Sequence, residues 1–148
     1  IEAGYTHDEI ISQAETWIRN SRIFVSVRNL KYMVRGGRVS HTKGIIANIL
    51  NINPIVTLDE NGTGVVFGQA FGQKANMNKV IEHIRKLCKD RNIWNYIVLH
   101  ANNPEAAGRF SSGLENLTDK KPVSVVNISP VIGLNAGVGA VSVALLFD

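Results

Sequence analysis

Apolar residues in the first twenty positions recur at helical spacing: Ile10, Ile11, Ala14, Trp17 and Ile18 share one stripe, which predicts an amphipathic helix with a face to bury. Thr6, followed three residues later by Glu9, is a capping-box pattern, and Tyr5 and Ile10 stand where a hydrophobic staple closes the same turn. The helix is expected to end near Asn20. Arg22 to Val27 alternates and is β-branched enough for a short strand. Leu30, Met33 and Val34 then mark a short helix that Gly36 and Gly37 stop. A further helix is expected from the cap Ser40, burying Ile45, Ile46, Ile49 and Leu50, until Pro54 forces extended backbone. Arg38 is thereby placed between two helices.

Pro54 to Asp59 and Val65 to Phe71 read as strands separated by Asn61 and Gly62, a strong hairpin signal. Met77, Val80, Ile81, Ile84, Leu87 and Cys88 then lie on one stripe of a helix with polar residues opposite, which places Cys88 in the core as an inert thiol. Asn95 to Ala101 reads as a buried strand, and Asn103 with Pro104 opens a helix whose apolar side is Ala106, Ala107, Phe110, Leu114 and Leu117. Val123 to Ile128 and Ala140 to Phe147 are the last strands, joined by Ser129 to Gly139, read as a loop with three glycines. Six strands interrupted irregularly by helices lack the alternation of a doubly wound fold. The pattern predicts an α/β domain of α+β type, a mixed six-stranded sheet covered by helices. Neither an internal repeat nor a low-complexity linker divides residues 1–148, which read as one domain.

A chain of 148 residues, 45% hydrophobic, can bury roughly two thirds of its unfolded surface. Its longest nearly apolar stretch, Val138 to Phe147, is far below the ~20 residues of a membrane helix, so no stable membrane insertion is expected. The net charge of +4 permits attraction to anions without specifying nucleic acid, and Arg85, Lys86, Lys89 and Arg91 read as a solvated helix face. Cys88 alone cannot form an internal disulfide, which points to a reducing compartment, the cytoplasm by default. Ile1-Glu2-Ala3-Gly4 reads as the tail of an element already under way, so an excised part of a longer chain is expected.

Residues suited to catalysis are not arranged for it. Asp8 with Glu9 and Asp59 with Glu60 are adjacent surface pairs, and His7, His41, His83 and His100 are scattered without metal-ligand spacing. Ser40 beside His41 lacks an acidic orienter and serves better as a helix cap. Gly36-Gly37-Arg38-Val39-Ser40 stands apart. Two glycines and a guanidinium before a helix start would favour phosphate or carboxylate, while the same residues also suit a C-cap with Arg38 paired to a neighbouring carboxylate or carbonyl. The loop around Asn135 has the same ambiguity: Gly137 and Gly139 suit either a tight turn or the close approach of a ligand.

Leu30-Lys31-Tyr32-Met33-Val34-Arg35-Gly36-Gly37-Arg38-Val39-Ser40 and Leu50-Asn51-Ile52-Asn53-Pro54-Ile55 resemble the signature of the DegV family. The family's distal Gly-x-His-x-Gly-Pro-Gly segment corresponds to Gly133-Leu134-Asn135-Ala136-Gly137-Val138-Gly139, followed by the closing strand. The resemblance spans nearly the whole chain and implies the second, C-terminal of two domains, a two-layer fold with a mixed six-stranded sheet. It implies a long-chain fatty acid bound between this domain and an N-terminal DegV domain. The carboxylate would be presented to a kinase resembling the dihydroxyacetone kinases, which makes acyl phosphate for phospholipid synthesis. The binding protein itself would carry no catalytic residue, metal or cofactor. By position, Arg38 would stand near the carboxylate or the kinase, with Gly36, Gly37, Ser40, Gly137 and Gly139 around the ligand, and Asn135 takes the place of the family's carboxylate-binding histidine.

Asn135 cannot become cationic, although a neutral hydrogen bond to a carboxylate survives the exchange. Val138 replaces a proline, Asn53 a lysine, and Gln69-Ala70-Phe71 a basic Lys-x-Arg run. These losses define the competing expectation, a scaffold or regulatory module that keeps the fold without acyl binding. An enzyme acting on a phosphorylated small molecule at Arg38 is a third reading, and it lacks a base or nucleophile.

Overall fold

The computed structural model describes residues 4–38 and 52–148; the helix expected from Ser40 to Leu50 lies outside the described residues. Chain order is α1 (His7–Asn20), β1 (Ser21–Ser26), α2 (Lys31–Arg35), β2 (Ile52–Leu58), β3 (Gly64–Phe71), α3 (Gln73–Leu87), β4 (Ile93–His100), α4 (Pro104–Thr118), β5 (Val125–Asn127), α5 (Pro130–Ala136) and β6 (Val141–Phe147). The strands form one six-stranded sheet in the order β3-β2-β1-β6-β4-β5. Only the β4–β5 pair is parallel. The sheet is therefore mixed, as expected.

Local chemistry accounts for most element boundaries. The Thr6 hydroxyl accepts the Glu9 amide while the Glu9 carboxylate accepts the Thr6 amide at 2.7 Å, which closes the capping box of α1. In the β2–β3 hairpin, Asp59 Oδ1 accepts the amides of Asn61 and Thr63, both at 2.9 Å, and Gly62 takes φ +75°. The Asn103 side chain caps α4 ahead of Pro104.

Alternation along the strands divides the sheet into two faces. One face carries Phe24, Ile55, Tyr96, Val98, Val141, Val143, Leu145 and Phe147, and α3 and α4 seal it with Met77, Val80, Ile84, Ala106, Phe110 and Leu114. On the other face a smaller cluster of Val27, Met33, Val56, Ala101, Ala136 and Ala140 packs under α2 and α5 at one end of the strands. Phe24 and Phe110 belong to the sealed core.

Three expectations need correction. The segment Ser129 to Gly139 is not all loop, because Pro130 occupies the first turn of α5 and its fixed φ nucleates seven helical residues. The stripe of α1 is amphipathic as read, yet the helix has no buried residue and Ile18 is 74% exposed. Periodicity defines an apolar face without supplying its partner. Cys88 is only half-buried, although burial still pushes its thiol pKa up and keeps it unreactive.

Asn76, the buried polar residue of α3, ties helix to sheet: its Nδ2 donates to Ser26 Oγ and to the Pro54 carbonyl, each at 3.2 Å. Asn76→Ala leaves Ser26 and Pro54 short of a donor and should cost about 2 kcal/mol in urea unfolding. His83 packs its ring against Phe24 and Phe67, and burial, with Lys86 adding repulsion, lowers its pKa. The unfolded chain therefore takes up the proton first. Its contribution is complete above the ordinary histidine value of about 6.5 and declines as pH falls through it. Unfolding at about pH 7.5 and about pH 5.5 should show this loss, smaller in His83→Phe.

Candidate functional site

Strand β6 is paired on both sides, and its registers fix what meets at each end. Val141 lies opposite Ser26 of β1 and opposite His100 of β4. Two residues beyond, the chain passes through Gly139, and the same register carries it to Arg28 on the neighbouring segment. A Cβ on Gly139 would lie 2.6 Å from Arg28 Nε and 3.1 Å from Nη2, so only glycine admits the guanidinium at this distance. The Gly139 φ of +88° makes the same demand.

The contact continues along α2. Gly137 takes φ +79° and faces the Tyr32 ring, which a Cβ would meet at 2.6 Å. Gly36 has ordinary helical dihedrals and faces Asn135, whose Oδ1 occupies the space a Cβ would need. Arg28, Tyr32 and Gly36 thus meet Gly139, Gly137 and Asn135 in order. The two glycines of the Gly36-Gly37-Arg38 run have separate reasons. Gly37, at φ +67°, turns the chain so that the Arg38 amide reaches the Met33 carbonyl at 2.9 Å, while Gly36 makes room for Asn135.

The structure therefore brings Gly36, Gly37, Arg38, Asn135, Gly137 and Gly139 to one end of the sheet, and Ser40 lies outside the described residues. Arg38 Nη1 donates to the Gly36 carbonyl at 2.6 Å, which satisfies the carbonyl half of the C-cap expectation. Asn135 Nδ2 donates to the Val131 carbonyl at 3.2 Å, so one arm of its amide closes the last turn of α5. Among the described residues no carboxylate pairs with Arg28 or Arg38. A second layer supports the loop from the other face, where Gln73 Nε2 and Asn103 Nδ2 both donate to the Gly139 carbonyl, at 2.5 Å and 3.0 Å.

The sequence did not point to Arg28 or Gln73, and it showed Tyr32 only as part of the signature and Asn103 only as a helix start. A signal was present: no acidic residue occurs between Glu15 and Asp59, while Arg19, Arg22, Arg28, Lys31, Arg35, Arg38 and Lys43 do. That imbalance marks a region suited to an anion. Pairing Arg28 with Gly139 specifically required the strand register.

At the opposite end of the same sheet face lies a cavity of about 1010 Å³, lined by Ile18, Ile23, Leu58, Ile97, Ala144 and Leu146 among others. Its arginines are engaged locally. Arg19 pairs with Glu15 at 3.8 Å, and Arg22 donates to the carbonyls of Arg19 and Ser21 at 2.8 Å and 2.7 Å. Asp59 and Glu60 also line the cavity, so residues of both charges join the apolar side chains there. The Arg28 and Arg38 end lies roughly 17 Å away at about 3.3 Å per residue and has no carboxylate ion pair among the described residues. Among the described residues no group of three His, Cys, Asp or Glu could hold a metal, and no helix is long and apolar enough to cross a membrane.

The family model of the DegV proteins matches residues 1–148. A DegV domain-containing protein of Clostridium acetobutylicum is 30% identical over 147 residues, covering 99% of this chain and 52% of the relative. A second from the same organism is 28% identical, covering 96% and 50%. The chain thus spans about half the length of the curated relatives it matches. A fatty-acid-binding DegV family protein of Streptococcus agalactiae, solved by crystallography, superposes with a TM-score of 0.86 at 25% identity, covering 98% of this chain and 51% of that one.

Gly36→Ala should turn the partly exposed Asn135 carboxamide aside and destabilise the α2–α5 contact by less than about 1 kcal/mol, because the end of that side chain can rotate away. The added cost should largely disappear in the Gly36→Ala/Asn135→Ala pair, as a double-mutant cycle by thermal unfolding would show.

Proposed function

Because this chain belongs to the DegV family, we propose that it is a fatty-acid-binding domain that holds a long-chain acyl tail on the open face of its sheet. The carboxylate is directed toward Arg28 and Arg38. The observation that carries the reading is the contrast between the two ends: a cavity with a mostly apolar lining at one, and at the other Arg28 and Arg38, neither ion-paired with a carboxylate among the described residues. An amphiphile with one anionic end fits it; a uniformly polar ligand leaves the cavity unfilled, and a neutral lipid leaves the cations unused. The Streptococcus agalactiae protein, described as fatty-acid-binding, supports the same ligand class.

The domain acts by binding and presentation. Arg38, and Arg28 held against Gly139, offer charge-assisted hydrogen bonds, while Asn135 supplies its remaining amide valence as a neutral partner. The remainder of a chain about twice this length would form an N-terminal domain across the acyl site. A dihydroxyacetone-kinase-like partner would receive the exposed carboxylate end for phosphorylation. In this reading no cofactor takes part, and the setting is cytoplasmic.

Native mass spectrometry of the full-length protein from its host, followed by extraction of bound lipid, tests this reading. A stoichiometric fatty acid is expected. An empty protein that also refuses added fatty acids overturns it and favours the scaffold. In the full-length protein Arg28→Ala and Arg38→Ala should each weaken palmitate binding by roughly tenfold, the usual scale for a charge-assisted hydrogen bond, with unchanged melting temperature. Asn135→His should strengthen carboxylate binding most below about pH 6.5, where the imidazole is cationic.

A further inference from the structure

Gly139 is pinned through both of its peptide groups. Its N–H donates to the Ala101 carbonyl at 2.7 Å, and its carbonyl accepts Gln73 Nε2 at 2.5 Å and Asn103 Nδ2 at 3.0 Å. The two donors are themselves joined, because Asn103 Nδ2 also donates to Gln73 Oε1 at 2.9 Å. Asn103 is fixed further: its Oδ1 accepts the Ala106 amide as the cap of α4, and its own amide donates to His100 Nδ1 at 3.2 Å. Residues from the starts of α3 and α4, 30 positions apart, thus converge on one oxygen. A carbonyl oxygen has two lone pairs, so two donors saturate it.

That oxygen belongs to the residue on which Arg28 rests. The Arg28 guanidinium lies against the bare Cα of Gly139, whose carbonyl is the only acceptor the residue offers. Arg38 shows what a guanidinium does beside an available carbonyl: it donates to Gly36 at 2.6 Å. Arg28 is exposed, and among the described residues neither a carbonyl nor a carboxylate engages it. Resting on the fatty-acid reading above, we propose that Gln73 and Asn103 are positioning residues for the carboxylate: by filling both lone pairs of the Gly139 carbonyl they deny Arg28 an internal acceptor and leave its donors to the ligand. An Arg28 bound to its own backbone has to surrender that bond to take a carboxylate. The clamp acts only through Arg28, which separates it from general support of the loop.

A double-mutant cycle on palmitate affinity in the full-length protein tests this. Gln73→Met keeps the length and helix propensity of the side chain, and Asn103→Ser keeps a capping oxygen while becoming too short to reach Gly139. Melting temperatures check that both helix starts hold. Each variant is expected to weaken palmitate binding about fivefold, the scale of one competing hydrogen bond, and by less than about twofold once Arg28→Ala has removed the guanidinium. In the ligand-free protein the Arg28 Nε–H resonance is expected to move in both variants as the guanidinium turns onto the vacated lone pair. Equal weakening with and without Arg28, or no weakening with an unmoved resonance, overturns the clamp while acyl binding stands. If wild type binds no palmitate, the fatty-acid reading itself fails and the role of the clamp fails with it.

Discussion

The double pairing of β6, with β1 on one side and β4 on the other, is the constraint on which the rest depends. It sets Ala144 between Ile23 and Ile97 at the cavity, and it carries the chain through Gly139 to the place where Arg28 can lie against the backbone. The sheet face opposite is sealed by α3 and α4, so Val141, Val143, Leu145 and Phe147 hold the strand in a dry core. A one-residue slip would turn Ala144 into that core and Leu145 toward the cavity. Stability and site geometry thus share one register.

The second constraint is steric. Three glycines each admit a different neighbour: Gly36 the Asn135 amide, Gly137 the Tyr32 ring, Gly139 the Arg28 guanidinium. Gly137 and Gly139 are also required by positive φ, whereas Gly36 is required only by the closeness of its partner. Together they let α2 and α5 approach closely enough to bring Arg28 and Arg38 to one end of the sheet, away from the cavity. A molecule with one anionic and one long apolar end matches that distribution.

How much of this was legible in the sequence follows the range of the interactions. The capping box at Thr6 and Glu9, the Asn61-Gly62 hairpin and the Asn103-Pro104 helix start are signals carried by neighbouring residues, and the structure reproduces them. The Ser129-Pro130 start of α5 is the same kind of signal, hidden because three downstream glycines read as loop. The α1 stripe declared an apolar face but not its cover, since periodicity describes one element at a time. The motif residues Arg38, Asn135, Gly137 and Gly139 were legible through family resemblance. The contacts of Arg28 and Tyr32 were not, because their partners are about 100 residues away and only register joins them. The cavity was equally hidden: the same alternation that builds a core wall also builds an open face.

In the proposed binding mode the acyl tail lies on the sheet face opposite α3 and α4 and points away from the arginine end. Paramagnetic broadening of backbone amide resonances, with stearate carrying a nitroxide near its terminal methyl bound to the isotope-labelled full-length protein, locates the tail directly. Broadening centred on Ile23, Ile97, Ala144 and Leu146 is the predicted result. Broadening centred on Arg28, Arg38 and Asn135, or on α3 and α4, would contradict the account.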